Sequence, residues 1–186
     1  MSHELNLEGV IEKLVVLQHF AYGSKEYCRE RLIGSEEDVG DEARDAYWIW
    51  AKGLVSSYML ECSIRVRVLL DTVADKPEAK EIAAIDTDII SEIDIGQVST
   101  GNFELSIRES CNKIIHAKKV APIWATAIDN NVEFKYWSGN FGLSGVKGNN
   151  NWKLTLHVAS WAKAVEYFLG EASSRNLIYY VGQDWY

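Results

Sequence analysis

The sequence predicts a mainly α fold, a helical bundle of four to six helices with a small antiparallel β-sheet insertion near the C-terminus. Three observations predict it. Apolar residues recur at steps of three and four through most of the first 119 positions and again after residue 160. The period changes to two after Pro122. Turn residues cluster between the periodic runs rather than inside them. With 186 residues, 47% of them hydrophobic and only 2 prolines, the chain suits one domain spanning 1–186 with a core of its own.

Residues 4–33 read as helical, because Leu5, Val10, Leu14, Leu17 and Ala21 recur at near-helical spacing. Gly23 and Ser24 are a candidate break in that region, and GSEEDVG at 34–40 reads as an acidic loop. Residues 41–75 form the longest expected helix. Its apolar positions, Tyr47, Trp48, Trp50, Ala51, Leu54, Val55, Tyr58 and Met59, are too widely spread for a narrow stripe, so the helix is expected to be buried on much of its girth. Asp75-Lys76-Pro77 stops it. A further helix is expected over 78–93 on Ile82, Ile85, Ile89 and Ile93; the acids between them read as a solvated face rather than a metal cluster. Residues 96–101 read as a linker.

Residues 102–119, NFELSIRESCNKIIHAKK, sort as one helix with Asn102 as its N-cap. At about 100° per residue, Phe103, Ile107, Cys111, Ile114 and Ile115 share an arc of about 120°. Arg108, Asn112 and His116 climb an adjacent stripe at steps of four, with Lys119 beyond them, and Glu109 and Lys113 are ordered as a solvent-side pair.

Beyond Pro122, Val132, Phe134 and Tyr136 alternate with polar neighbours, as do Trp152, Leu154, Leu156 and Val158, and a further strand is expected over 124–128. The sheet is therefore placed at 124–158, with Gly139, Gly142, Gly145 and Gly148 in a flexible hairpin loop. Such a glycine run could cradle phosphate, but Lys147 is followed by Gly148 and no strand-to-helix pattern surrounds it. Residues 160–174 return to helix, and NLIYYVGQDWY reads as an extended tail.

The formal net charge is −8. Nucleic acid is repelled at long range by such a chain, so an RNA contact needs a local basic site or a partner. The longest run free of formal charge, 14–24, is too short to span a bilayer, and the N-terminus lacks a basic leader with an apolar core. Cys28, Cys62 and Cys111 show no paired spacing, which suits a reducing cytoplasm and suggests neither a disulfide frame nor a metal site. No cofactor is expected.

Two readings of the Arg108–Asn112–His116 stripe stand side by side. An arginine can hold phosphate in a bidentate fork, and a histidine can move a proton near neutrality. Alternatively the stripe is a structural seam, with Arg108 paired to an acid and His116 bonded to a neighbouring helix. Two turns put the arginine and histidine about 12 Å apart along the axis. Trp124, Trp137, Trp152 and Trp161 read chiefly as packing between sheet and last helix, and His19 and His157 as structural.

The segment RESCNKIIHA resembles the signature helix of the HEPN superfamily, all-helical domains many of which are metal-independent ribonucleases. The signature is an arginine, a polar residue and a histidine after four to six intervening residues; here Arg108, Glu109 and His116 take those places, and the spacing departs from the signature, with seven residues between Arg108 and His116. The resemblance implies a homodimer with two such helices facing across a cleft. It implies attack by the RNA 2′-hydroxyl on the adjacent phosphate, with His116 as acid or base and Arg108 on the charged phosphorane. Asn112 orients the phosphate or imidazole, and Lys119 and Glu109 join the substrate-binding set. The expectation is a HEPN-like, RNA-directed protein, an endoribonuclease of the toxin or defence type, with an antitoxin or other protein as a further partner. The alternatives are a catalytically silent interaction module and a small-ligand or nucleotide-binding domain.

Overall fold

The computed structural model describes residues 6–34 and 41–178. Residues 4–5 of the expected first helix, all of the expected 34–40 loop but Gly34, and the tail beyond 178 lie outside them. The order is α1 (Leu7–Glu30), α2 (Asp41–Thr72), α3 (Ala79–Glu92), β1 (Gly96–Thr100), α4 (Ile107–Ile115), β2 (Lys119–Asp129), β3 (Val132–Lys147), β4 (Asn150–His157) and α5 (Val158–Ser174). The sheet is antiparallel, with spatial order β1-β4-β3-β2.

This corrects the expected fold class. The architecture is α/β: a four-stranded sheet lies mid-chain and packs against the helices, and it is no insertion on a mainly α bundle. Two local causes hid it. The glycine run, expected as a loop, is mostly strand, because β3 continues through Gly139, Gly142 and Gly145 and turns only at Gly148. Gly145 lies opposite Trp152 across the ladder, and a Cβ there would sit 2.5 Å from the indole, so the glycine makes room for the ring. Residues 96–100, expected as linker, pair with β4 as an edge strand. Gly96, at φ +153°, permits that approach, since a Cβ there would fall 2.3 Å from the Thr155 carbonyl oxygen.

Helix α1 crosses β3 and lies against α5; α2 packs on α1 and α4, and α3 on α5. Trp137, Phe141, Leu143, Trp152, Leu154 and Leu156 supply the sheet's share of the main core, and Trp161, Val165 and Phe168 supply that of α5. The break expected at Gly23–Ser24 does not occur. Ser24 is buried inside a continuous α1, hydrogen-bonded to the Tyr47 hydroxyl and accepting from the Trp137 backbone N–H. These bonds tie α1 to α2 and β3 beside a second cluster of Cys28, Ile33, Tyr47, Ala51 and Phe134.

The helix expected over 102–119 is shorter. Its turn-forming N-terminal flank includes Gly101 at φ +110°, and residues 103–106 are not helical. Ser106, not Asn102, is the N-cap. At the other end His116 is the C-cap, and the Lys118 N–H bonds Ser144 O, which draws the chain into β2. Lys119 thus belongs to a strand. A nine-residue helix is marginal alone, but the donors of its first turn are all satisfied. The Asp86 carboxylate accepts from Ile107 N at 2.8 Å and Arg108 N at 3.4 Å. Ser106 Oγ accepts from Glu109 N at 3.0 Å, and Ser106 O from Ser110 N at 2.8 Å.

Candidate functional site

The start of α4 decides where Arg108 goes. Its Nη2 donates to Asp71 Oδ1 at 2.6 Å and its Nη1 reaches Leu70 O at 3.4 Å, so its guanidinium is turned toward the end of α2. Asp71 also takes two bonds from Arg67, at 2.9 and 3.0 Å. Arg108 lines a small recess of about 150 Å³ with Asp86 and apolar side chains. His116, Asn112 and Glu109 stand together in a different and larger cleft. The structure therefore separates Arg108 from His116. Lys119 is exposed on β2 and does not line that cleft.

The cleft lies between α4, the segment 100–103 and the β3–β4 hairpin, and it has two lobes. One, of about 660 Å³, is walled by Phe103, Asn149, Asn150 and Asn151. The other, of about 500 Å³, is walled by Asn112, His116, Lys118 and Val146. Glu109, Lys113, Lys147 and Trp152 line both and form the shared wall. Each lobe falls in the size range of small-ligand sites, roughly 300–1,000 Å³.

Lys113 is the centre of that wall. It is 5% exposed, although the sequence placed it on the solvent side. Its Nζ pairs with Glu109 Oε1 at 3.1 Å, one turn earlier. The same ammonium sits 3.9 Å from the centre of the Phe103 ring and 4.7 Å from that of Trp152. Cation–π attraction and a carboxylate partner together offset the loss of water around a buried ammonium. Glu109 also accepts from Asn112 Nδ2 at 3.1 Å. Burial alone pushes the Glu109 carboxyl up, but the bonds from Asn112 and Lys113 and the charges of Lys113 and Lys147 hold it below its ordinary value. It is therefore a fixed anion that anchors Lys113 and a weak base.

Lys118 and Lys147 are exposed at the rim, and among the described residues neither forms an ion pair. The cleft thus carries three lysines and one carboxylate, in a chain of formal net charge −8. His116 is the imidazole among these lining residues, exposed at the C-terminal end of α4. Helix α4 is held from behind: Trp161 Nε1 donates to Ser110 Oγ at 3.0 Å, and Ser110 Oγ donates to Ile107 O at 2.7 Å.

Reading the sequence alone missed Lys113, Lys118, Lys147 and the Trp152 wall as site residues. A signal was there: Lys147 closes the glycine run, and Trp152 faces Gly145 once β3 and β4 are aligned. Among the described residues no His/Cys/Asp/Glu group of three or more is placed to hold a metal ion, and no helix is long and apolar enough to cross a membrane. Comparison with protein-family models, curated proteins and solved structures returns no match.

Proposed function

We propose that this protein binds single-stranded RNA through the two-lobed cleft and that His116 moves a proton on the bound phosphodiester. The observation that carries the reading is the local surplus of cations, Lys113, Lys118 and Lys147 against Glu109, on a chain that is acidic overall. A phosphate at the shared wall meets the exposed Lys147, while Lys113, enclosed against Glu109 and Phe103, offsets the Glu109 charge behind it, and a lobe for the nucleotide is left on either side. The Asn149–Asn151 amides offer hydrogen bonds to a base or sugar in one lobe. His116 and Lys118 flank the other.

In such a complex the 2′-oxygen forms a bond to phosphorus while the bond from phosphorus to the 5′-oxygen breaks. An imidazole at His116 accepts the 2′-hydroxyl proton, or in its protonated form donates to the departing 5′-oxygen. The lysine charges oppose the negative charge that builds on the phosphoryl oxygens. Glu109 is a positioning residue that holds Lys113 and Asn112 in place. This keeps the RNA-directed reading of RESCNKIIHA but places the phosphate on lysines, because Arg108 is turned away to Asp71. We place the protein in a reducing cytoplasm, since Cys28, Cys62 and Cys111 are unpaired thiols in its interior.

The test is a fluorescence-anisotropy titration of labelled single-stranded RNA, with the products run on a denaturing gel. Wild type is expected to bind and cut; His116→Ala is expected to bind without cutting. Binding that survives charge reversal at Lys118 and Lys147 contradicts the cleft as the RNA site, and cutting by His116→Ala contradicts the role given to the imidazole.

A further inference from the structure

Away from the cleft, α3 and α5 leave a groove of about 630 Å³ between them, reached also by Ile11 of α1. Its floor is apolar: Ile85 is 3% exposed, and Ile11 and Ile89 are half-buried against the main core. Tyr167 stands 51% exposed at its edge. Nothing lies within 4 Å of the position a Cβ would take at Gly170, so the α5 side of the groove is open.

The rims are acidic on both sides. Asp88 and Glu92 come from α3, and Glu166 and Glu171 come from α5. Glu166 accepts a hydrogen bond from Gln18 Nε2 at 2.7 Å, which leaves its charge unneutralised. Arg175 is the cation on the lining, and it is engaged by Glu171 at 2.9 Å and Glu81 at 3.5 Å. Among the described residues, Asp88 and Glu92 have no cationic partner. Lys163 Nζ stands 5.4 Å from the centre of the Tyr167 ring at the edge, so four carboxylates face one shared guanidinium and one rim ammonium, and the groove remains negative and attracts added positive charge. An apolar floor flanked by unpaired charge of one sign matches a helix of the opposite pattern: an apolar stripe with Lys or Arg on both sides.

We infer that the α3–α5 groove docks a basic amphipathic helix of a protein partner, independently of the RNA cleft. Apolar side chains of that helix cover Ile11, Ile89 and Tyr167 while its cations meet Asp88 and Glu92 on one rim and Glu166 on the other. The floor separates this surface from an acidic face that is merely solvated, because a solvated face needs no apolar trough between its charges.

The probe is a fluorescently labelled synthetic peptide of leucine and lysine patterned as an amphipathic helix. A scrambled peptide of the same composition, which has no apolar stripe, is the comparison. Both are titrated against the full chain by anisotropy at near-physiological salt. The patterned peptide is expected to bind more tightly than the scrambled one. The double variant Asp88→Lys/Glu92→Lys is expected to weaken it roughly tenfold or more, and Tyr167→Ala is expected to weaken it at unchanged charge. Reversal of Glu26 and Glu30, on α1 outside the groove, is expected to leave it unaltered. Circular dichroism establishes that each variant is folded. Equal binding of the scrambled peptide overturns the inference, as does equal weakening by the α1 reversals or no response to Tyr167→Ala.

Discussion

Lys113 Nζ lies 3.1 Å from Glu109 Oε1 and 3.9 Å from the centre of the Phe103 ring, so a lysine ammonium is enclosed between a carboxylate and an aromatic face. The pair joins helix α4 to the segment before it and forms the wall shared by both lobes of the cleft.

Lys113→Met is expected to destabilise the fold by about 1–3 kcal/mol, because it leaves the half-buried Glu109 without its cation. Glu109→Gln/Lys113→Met is expected to cost less than the two single changes summed, since the double variant strands no charge. Urea denaturation of all four proteins checks this; strict additivity means that the two side chains are not coupled.

The pH dependence of that pair has a definite sign. The Glu109 carboxyl is held below its ordinary value in the folded chain, so its stabilisation is present above the unfolded-state pKa of about 4.3 and is lost as pH falls through the lower folded value. The stability gap between wild type and Glu109→Gln is expected to be largest near neutrality and to narrow on acidification below about pH 4. Asp86 behaves oppositely. Burial raises its carboxyl and the Ile107 and Arg108 N–H bonds only partly offset that, so its contribution is most favourable at low pH and declines as pH rises through the folded value.

Asp86 nonetheless supplies two acceptor bonds to the start of α4. Asp86→Ala leaves both N–H groups without it and is expected to cost about 1–2 kcal/mol. Asp86→Asn keeps one acceptor oxygen and should cost less. Thermal unfolding of the two variants measures the difference, and equal losses contradict a capping role.

Arg108→Ala removes an ion pair whose side chains are 43% and 53% exposed, so it is expected to cost less than about 1 kcal/mol. Because the guanidinium faces away from the cleft, RNA affinity is expected to be unchanged. An RNA titration checks this, and a large loss of affinity in a folded Arg108→Ala protein returns the phosphate to arginine.

Gly145→Ala forces a Cβ to within 2.5 Å of the Trp152 ring. The ring is 3% exposed and packed, so overpacking of about 1–3 kcal/mol is expected, together with a shift in tryptophan fluorescence as the wall moves. Unchanged stability and spectrum mean that the indole does not depend on the glycine.

Much of this architecture is legible in the sequence where a periodic apolar face meets the core. Leu14 and Leu17 on α1, Ile82 and Ile85 on α3, and Leu154 and Leu156 on β4 all lie buried on the faces their spacing implies. The fold class is not, because its evidence is carried by residues without a side-chain period. Gly139 and Gly145 take two of the buried alternate positions of β3 beside Trp137, Phe141 and Leu143, which breaks the alternation of apolar side chains there, and GQVST in β1 is held by the edge of β4 rather than by a buried face of its own. The site was half legible. His116, Asn112 and Glu109 do share one opening, since a single helix sets their angles. Arg108 left that stripe through a long-range pairing with Asp71, and Lys147 and Trp152 joined it through strand register; local spacing encodes neither.

The most direct measurement is the affinity of labelled single-stranded RNA for wild type and for Lys118→Glu/Lys147→Glu, both rim positions being exposed, with circular dichroism establishing that the variant is folded. Salt-sensitive binding by wild type, weakened at least about tenfold by the double reversal, is the predicted result. Equal affinity of the two proteins, or no binding by wild type at low salt, contradicts an RNA-binding cleft.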